Sequence, residues 1–214
     1  MTKTVSRIHG LYAIADTGYL DDARLAPAVE RALHGGARIV QYRDKSHDPA
    51  MRERQARTLR PLCARYKACF IINDDAELAR AIGADGVHLG RNDAPIAATR
   101  AALGEDGIIG ISCYNDLARA ESAAASGADY VAFGSFYPSR TKPTAVRASL
   151  DLLRSARARL DIPVVAIGGI TPENGAALIA AGADALAVIS GIFDQPDVEA
   201  AAKRYAAIFG VTQS

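Results

Sequence analysis

The sequence has no tryptophan, two methionines, three cysteines and almost no net charge. Each shortage excludes something. With 25 basic against 24 acidic residues the chain carries a formal +1, so no global field draws it to nucleic acid or to a membrane surface. Affinity for phosphate must then come from local groups. No apolar stretch approaches the roughly 20 residues that span a bilayer. Residues 1–7 are polar and lead straight into an apolar run, without the hydrophobic region of a secretory signal. The cysteines Cys63, Cys69 and Cys113 are odd in number and lack metal-ligand spacing, which points to reduced thiols in a cytoplasmic protein. Cys113 has no histidine at telling spacing and reads as a structural thiol.

What the chain does have is apolar material in short, regular pieces. Half of its 214 residues are hydrophobic, ample for one core, and residues 1–214 read as a single domain. Eight strand-like runs stand out, at 10–15, 39–43, 69–72, 86–89, 108–112, 130–133, 163–167 and 185–189. Most are continuously apolar, as strands buried on both faces of a parallel sheet are. Alanine-rich stretches with helical spacing lie between them, most clearly at 76–82, 117–125, 150–160 and 176–181. Thr171-Pro172-Glu173 predicts a helix start, with an N-cap, proline in the first turn and an acidic side chain. Asn115-Asp116 and Asp74-Asp75 offer caps of the same kind. Helix ends repeat a phrase: Gly36-Ala37, Gly83-Ala84-Asp85, Gly127-Ala128-Asp129 and Gly182-Ala183-Asp184, each before an even-numbered run and 47, 44 and 55 residues apart. Glycine suits the left-handed residue that ends a helix, and the spacing is a weak internal repeat of two strand–helix units.

Polar residues collect at the downstream ends of these runs, which is where a (β/α)8 TIM barrel keeps its active site. An open doubly wound α/β sheet explains eight regular units less well, and no G-x-G-x-x-G follows the first run. Gln41, Arg43 and Lys45 alternate along one side of the second strand. They would give an amide and two cations to one ligand, although a solvated strand end explains them too. Asp74 and Asp93 end neighbouring strands, and two hard carboxylates suit Mg2+ shared with substrate phosphates. Both also sit where a helix N-cap is expected. Asn73 is either a turn residue or a ligand contact, and His88 reads as a packed histidine. Ser139, Thr141 and Lys142 lie on a proline-bounded loop able to hold a pyrophosphate or a carboxylate, or simply on a surface loop. Gly168-Gly169 and Ser190 end the seventh and eighth strands, where this fold commonly binds phosphate.

Taken in order, Q-Y-R-D-K, I-N-D-D, G-V-H-L-G-x-x-D, G-S-F-Y-P-S-x-T-K, A-I-G-G-I and V-I-S resemble the thiamine phosphate synthase family across almost the whole chain. The resemblance implies a transferase that joins a hydroxymethylpyrimidine diphosphate to a thiazole phosphate, with Mg2+, releasing pyrophosphate through a dissociative, carbocation-like step. It places Gln41, Tyr42, Arg43, Asp44, Lys45, Asn73, Ser112 and Lys142 at the pyrimidine diphosphate, and Asp74 and Asp93 at the metal. It places Ser139, Arg140, Thr141, Gly169, Ile189 and Ser190 at the thiazole phosphate. Arg43, Lys45, Lys142 and Ser112 would be the catalytic group. The implied partners are these two small molecules, with no nucleic acid and no membrane; assembly into a homo-oligomer is left open. Two departures stand out. Ser135 replaces a proline, which would loosen its loop, and Arg91 replaces a common glutamine. A thiazole tautomerase-like paralogue, a lysine Schiff-base aldolase and a non-catalytic pathway sensor are rival readings. The first would not need the full diphosphate and metal set. The second would need a lysine in an apolar setting. The third would bind without turnover.

Overall fold

The computed structural model describes residues 7–138 and 146–210. Eight parallel strands close into a barrel in chain order: β1 (Gly10–Asp16), β2 (Ile39–Arg43), β3 (Cys69–Asn73), β4 (Gly86–Leu89), β5 (Ile108–Tyr114), β6 (Tyr130–Phe133), β7 (Val164–Ile167) and β8 (Ala185–Val188). Strand β8 pairs back onto β1 from Gly10↔Ala185 to Ala13↔Val188, which excludes the open sheet. The helices are α1 (Asp22–His34), α2 (Pro49–Arg65), α3 (Ala76–Ile82), α4 (Ile96–Leu103), α5 (Leu117–Ala125), α6 (Leu150–Arg159), α7 (Pro172–Ala180), the single turn α8 (Ser190–Phe193) and α9 (Val198–Gly210).

The strand periodicity divides the apolar residues into two layers. Tyr12, Ile14, Ile39, Ile71, Ile108, Tyr130 and Val165 fill the barrel interior. Leu11, Val40, Phe70, Val87, Ile109, Val131 and Leu186 pack outward against the helices. Tyr130 has room inside because its ring lies over Gly110, where a β-carbon would strike the ring.

Three expected caps form, at Asp75, Asp116 and Thr171. Asp75 accepts from Leu78 N at 2.8 Å, Asp116 from Arg119 N at 3.0 Å, and Thr171 makes a reciprocal capping box with Asn174. The four phrase glycines, Gly36, Gly83, Gly127 and Gly182, all have positive φ, as a helix-ending left-handed residue requires. The aspartates that follow do more than the sequence showed. Asp85, Asp129 and Asp184 each accept the backbone N–H of a neighbouring strand, from Phe70, Ile109 and Val164, at 2.8 Å. They thereby seal the lower mouth of the barrel, at the N-terminal ends of the strands.

Strand ends differ slightly from expectation. β7 begins at Val164 rather than at Pro163, which has no N–H for the ladder. β8 stops at Val188 because Ile189 already caps α8. β1 and β3 run one residue further, to Asp16 and Asn73, and β5 runs to Tyr114 past a register shift between Ser112 and Tyr114. Among the described residues, no helix is long and apolar enough to cross a membrane. Cys63, Cys69 and Cys113 are free and buried. Burial pushes each thiol up to about 12, so all three are unreactive packing groups.

Candidate active site

A cavity of about 550 Å³ opens among the C-terminal ends of the strands, within the range of small-molecule sites. Its floor is Tyr12, Ile14, Gln41, His88, Ser112, Ala132, Val165 and Ala187. One wall is Arg43, Asn73, Arg91, Asn92 and Tyr114. The opposite wall is Gly168, Gly169, Ile170, Ile189, Ser190 and Gly191. Gln41, Arg43, Asn73, Ser112, Gly169, Ile189 and Ser190 therefore converge on one space, as their motifs imply. Lys45, Asp74 and Asp93 stand on the rim above it. Ser139, Arg140, Thr141 and Lys142 lie outside the described residues.

Tyr42 and Asp44 do not join them. Alternation along β2 sends both away from the cavity. The Tyr42 hydroxyl donates to Gln55 Oε1 of α2 at 2.6 Å and to Asp44 Oδ2 at 3.2 Å. Asp44 also accepts from Ser46 N at 2.6 Å, Ser46 Oγ at 2.9 Å and Thr17 Oγ1 at 3.1 Å. Burial would raise the Asp44 carboxyl, but these hydrogen bonds outweigh it and hold the group below its ordinary value. The pair shapes the β2–α2 turn that carries Lys45. Of Q-Y-R-D-K, then, Gln41 and Arg43 reach the cavity and Lys45 its rim.

The cations at the mouth are already engaged. Arg43 pairs with Asp16, its register partner at the end of β1, and Lys45 pairs with Asp74. Asp16 is buried and also accepts from Gly18 N at 2.8 Å. The expected end of β1 at residue 15 hid Asp16. Its signal was the alternation Tyr12, Ile14, Asp16, the same pattern that singled out Gln41 and Arg43.

Neither Asp74 nor Asp93 caps a helix. Asp75 caps α3, and α4 starts at Pro95 with no side-chain cap. Asp74 instead sits at φ +64°, where a non-glycine residue is strained. It is held there by its N–H to His88 O at 2.8 Å. Asp93 accepts from Gly90 N at 2.5 Å. The two carboxyls are in hydrogen-bonding contact. Burial raises both, but the Lys45 ammonium, helped by the bond to Asp93, holds Asp74 down. On Asp93, burial followed by the bond to Asp74 outweighs the Gly90 N–H and the weaker pull of Lys45, and pushes the carboxyl up. Two carboxyls pressed together, with an ammonium already on one, form a donor set that suits a hard divalent cation completed by substrate oxygens. Among the described residues no cluster of three His, Cys, Asp or Glu competes for this role.

The two departures from the family pattern have structural accounts. Ser135 is bonded on both sides, while residues 139–145 of its loop lie outside the described residues. Its N–H donates to Val146 O at 3.1 Å, its carbonyl accepts from Ala148 N at 3.0 Å, and its hydroxyl donates to Tyr137 O at 2.9 Å. Proline would lack the first and third of these bonds. Arg91 lays its guanidinium 4.9 Å over the Tyr114 ring, a cation–π contact that props Tyr114 in the wall.

Fold and mouth define the class: a (β/α)8-barrel enzyme with its reactive polar groups gathered at the C-terminal ends of the strands. Residues 11–192 match the family described as thiamine monophosphate synthase. Thiamine-phosphate synthase of Thioalkalivibrio sulfidiphilus is 56% identical over 99% of this chain and 100% of the relative, and that of Nitrosococcus oceani is 57% identical over 94% and 92%. The solved thiamine phosphate pyrophosphorylase of Pyrococcus furiosus superposes with a TM-score of 0.86 at 34% identity, covering 97% of this chain and 98% of the other. The chain belongs to the thiamine monophosphate synthase family, and its activity is that of a thiamine-phosphate synthase, a transferase of thiamine biosynthesis.

Proposed function

We propose that this chain transfers the aminopyrimidinylmethyl group from its diphosphate to the ring nitrogen of a thiazole phosphate, with Mg2+ and by a dissociative route. One observation carries the reading. The ion pairs Asp16–Arg43 and Lys45–Asp74 stand at the mouth of a cavity whose opposite wall is the glycine-rich end of β7 and β8. Each cation can exchange its carboxylate for a phosphate oxygen. On the far wall, Gly168 and Gly169 have φ +104° and +62°, and a β-carbon on Gly169 would strike the Tyr137 backbone and side chain at 2.8 Å. Glycine there brings backbone N–H groups close to an anion. Two anion-gathering walls on one cavity suit two phosphorylated substrates.

The residue types suit bond cleavage by charge stabilisation. The carbon–oxygen bond to pyrophosphate breaks, its electron pair leaving with the pyrophosphate, and the thiazole nitrogen lone pair then bonds to the pyrimidinylmethyl carbon. Arg43, Lys45 and Lys142 take the leaving-group charge, and the β7–β8 wall with Ile189 and Ser190 holds the nucleophile in place. Asp74 and Asp93 would hold Mg2+ against the diphosphate, where it would offset charge on the departing oxygens. No protein nucleophile is needed. The buried, neutral thiols offer none, and Lys45 sits on a carboxylate rather than in an apolar pocket. This favours the synthase over the aldolase reading. The occupied diphosphate-side groups favour it over the tautomerase.

The test is formation of thiamine phosphate and pyrophosphate from the two purified substrates, with Mg2+ and with EDTA. Equal appearance of both products, abolished by EDTA, is expected. Equal product with EDTA present would remove the metal from the scheme. No product, with thiazole phosphate still bound, would move the protein to the tautomerase or sensor readings.

A further inference from the structure

The cavity floor holds a line of side chains that the proposed chemistry leaves unused. Gln41 Nε2 donates to the Tyr12 hydroxyl at 2.7 Å, and that oxygen lies 2.9 Å from the Tyr130 hydroxyl. The Tyr130 oxygen lies 2.9 Å from His88 Nδ1, and His88 Nε2 lies 2.9 Å from Ser112 Oγ. Five strands, β1, β2, β4, β5 and β6, thus contribute one unbroken row across the barrel. Tyr12, Tyr130 and Gln41 are buried. Only the two ends, Gln41 and Ser112, have hydrogen-bonding capacity left for a ligand.

The row can be filled with protons in only two self-consistent ways. Each ring nitrogen of His88 faces a hydroxyl that can donate or accept, and no carboxylate bonds the ring, so the neutral imidazole donates through one nitrogen and accepts through the other. In the first arrangement every bond runs from Gln41 toward Ser112. Gln41 Nε2 donates to Tyr12, Tyr12 to Tyr130, Tyr130 to Nδ1, and Nε2–H to Ser112. The ligand then meets the Gln41 carbonyl oxygen at one end and the Ser112 proton at the other. In the second arrangement the Gln41 amide is turned over and every bond reverses. The ligand meets an amide N–H at one end and a serine oxygen at the other. A mixed arrangement leaves two protons, or none, in one buried gap, at a cost of about 1–3 kcal/mol for the unmet group.

We infer that Tyr12, Tyr130 and His88 are positioning residues that lock the hydrogen-bonding polarity of Gln41 to that of Ser112, so that the floor selects a ring with a donor on one side and an acceptor on the other. An aminopyrimidine presents that pair, in its exocyclic amine and a ring nitrogen. The inference rests on the synthase reading and adds to it: specificity for the amine is set by residues whose polar atoms are spent on one another rather than on the substrate. Arg119 supports the Ser112 end, its Nε donating to Ser112 O at 2.9 Å.

The test compares wild type with Tyr130→Phe on two substrates, the aminopyrimidinylmethyl diphosphate and its analogue with methoxy in place of the amine, which offers the locked ends two acceptors and no donor. Wild type is expected to prefer the amine by about 100-fold or more in kcat/KM. Tyr130→Phe keeps the ring against Gly110 and cuts the row, so each end can turn independently. Its preference is expected to fall about tenfold, one hydrogen bond's worth, with the KM for thiazole phosphate unchanged. A preference that stays at the wild-type ratio overturns the inference, whatever happens to overall rate. If Tyr130→Phe does not fold, Tyr12→Phe cuts the same row one bond away and carries the same expectations. Wild type that forms no product from the amino substrate overturns the synthase reading itself, so the two failures are distinguishable.

Discussion

At the lower mouth of the barrel, Asp85, Asp129 and Asp184 each bond a neighbouring strand twice, through the side chain to an N–H and through their own N–H to the carbonyl of the same residue. Each also holds an arginine: Arg7, Arg100 and Arg157. At the upper mouth, Asp16, Asp74 and Asp93 also meet arginine, lysine or one another. The residue types are the same and the use is opposite. The lower carboxylates are committed to the sheet itself, so a ligand could not displace them without unpairing a strand. The upper ones hold a cation or a like charge through side-chain atoms alone, and Asp74 does so from a strained backbone. A phosphorylated ligand can replace those partners without disturbing the ladder. Stability lives at one end of the strands and chemistry at the other.

The comparison breaks most visibly at Asp93. Asp93→Asn keeps a side-chain acceptor for Gly90 N and removes the negative charge. Turnover with Mg2+ is expected to fall about 1,000-fold, with the thermal midpoint within a few degrees of wild type. Near-normal turnover at low Mg2+ would show that the upper carboxyls are as structural as the lower ones.

His88, under the upper mouth, should cost stability in acid. Burial drives its folded pKa down to about 4, with the charge on Asp74 opposing only in part. An unfolded histidine titrates near 6.5. Between those values the unfolded chain binds a proton that the folded one refuses, so stability rises with pH across the window and is flat above it. The loss on acidification from pH 6.5 to 4 is expected to be on the order of 3 kcal/mol from this residue. Urea titrations of wild type and His88→Gln, at pH 7 and pH 4.5, measure it. An equal acid loss in both proteins would place the sensitivity elsewhere.

The lower mouth makes the reverse prediction. Asp129→Ala strips the partner from Ile109 N–H and from Arg100, and should cost about 2 kcal/mol of stability, while kcat per folded molecule stays at the wild-type value. A kcat that fell with stability would mean that the two ends of the strands are coupled.

Much of this division was legible in the sequence. Continuous apolar runs and the glycine phrases gave eight strands in order, because burial on both faces and left-handed helix ends leave one-dimensional marks. Gln41 and Arg43 were legible for the same reason, through the period of two. Tyr42 and Asp44 were assigned to the ligand by motif although that period already sent them outward. What one strand's pattern cannot carry is pairing between strands. The Asp16–Arg43 pair depends on the register of β1 with β2, and the row from Gln41 to Ser112 depends on five strands closing a circle. The third residue of the glycine phrase looked like part of a helix end, since its bond goes to a strand read 15 to 20 residues earlier.

Asp16 sharpens the contrast, because it is an upper-mouth aspartate with a partly lower-mouth manner. It is buried, it binds a backbone N–H, and it holds an arginine. The difference is that Gly18 N belongs to the turn after β1 and not to a neighbouring strand, so the barrel does not depend on it. Asp16→Asn keeps the Gly18 bond and weakens only the grip on Arg43. If Asp16 serves to aim that guanidinium at the leaving group, kcat should fall about tenfold through lost orientation, with little change in thermal midpoint and in the KM for thiazole phosphate. A loss of stability comparable to that of Asp129→Ala, with kcat intact, would move Asp16 to the structural side and leave Arg43 to find its own position. The arrangement of the mouth argues for the first outcome, since Arg43 lines the cavity and an arginine that must meet a diphosphate gains by arriving already oriented.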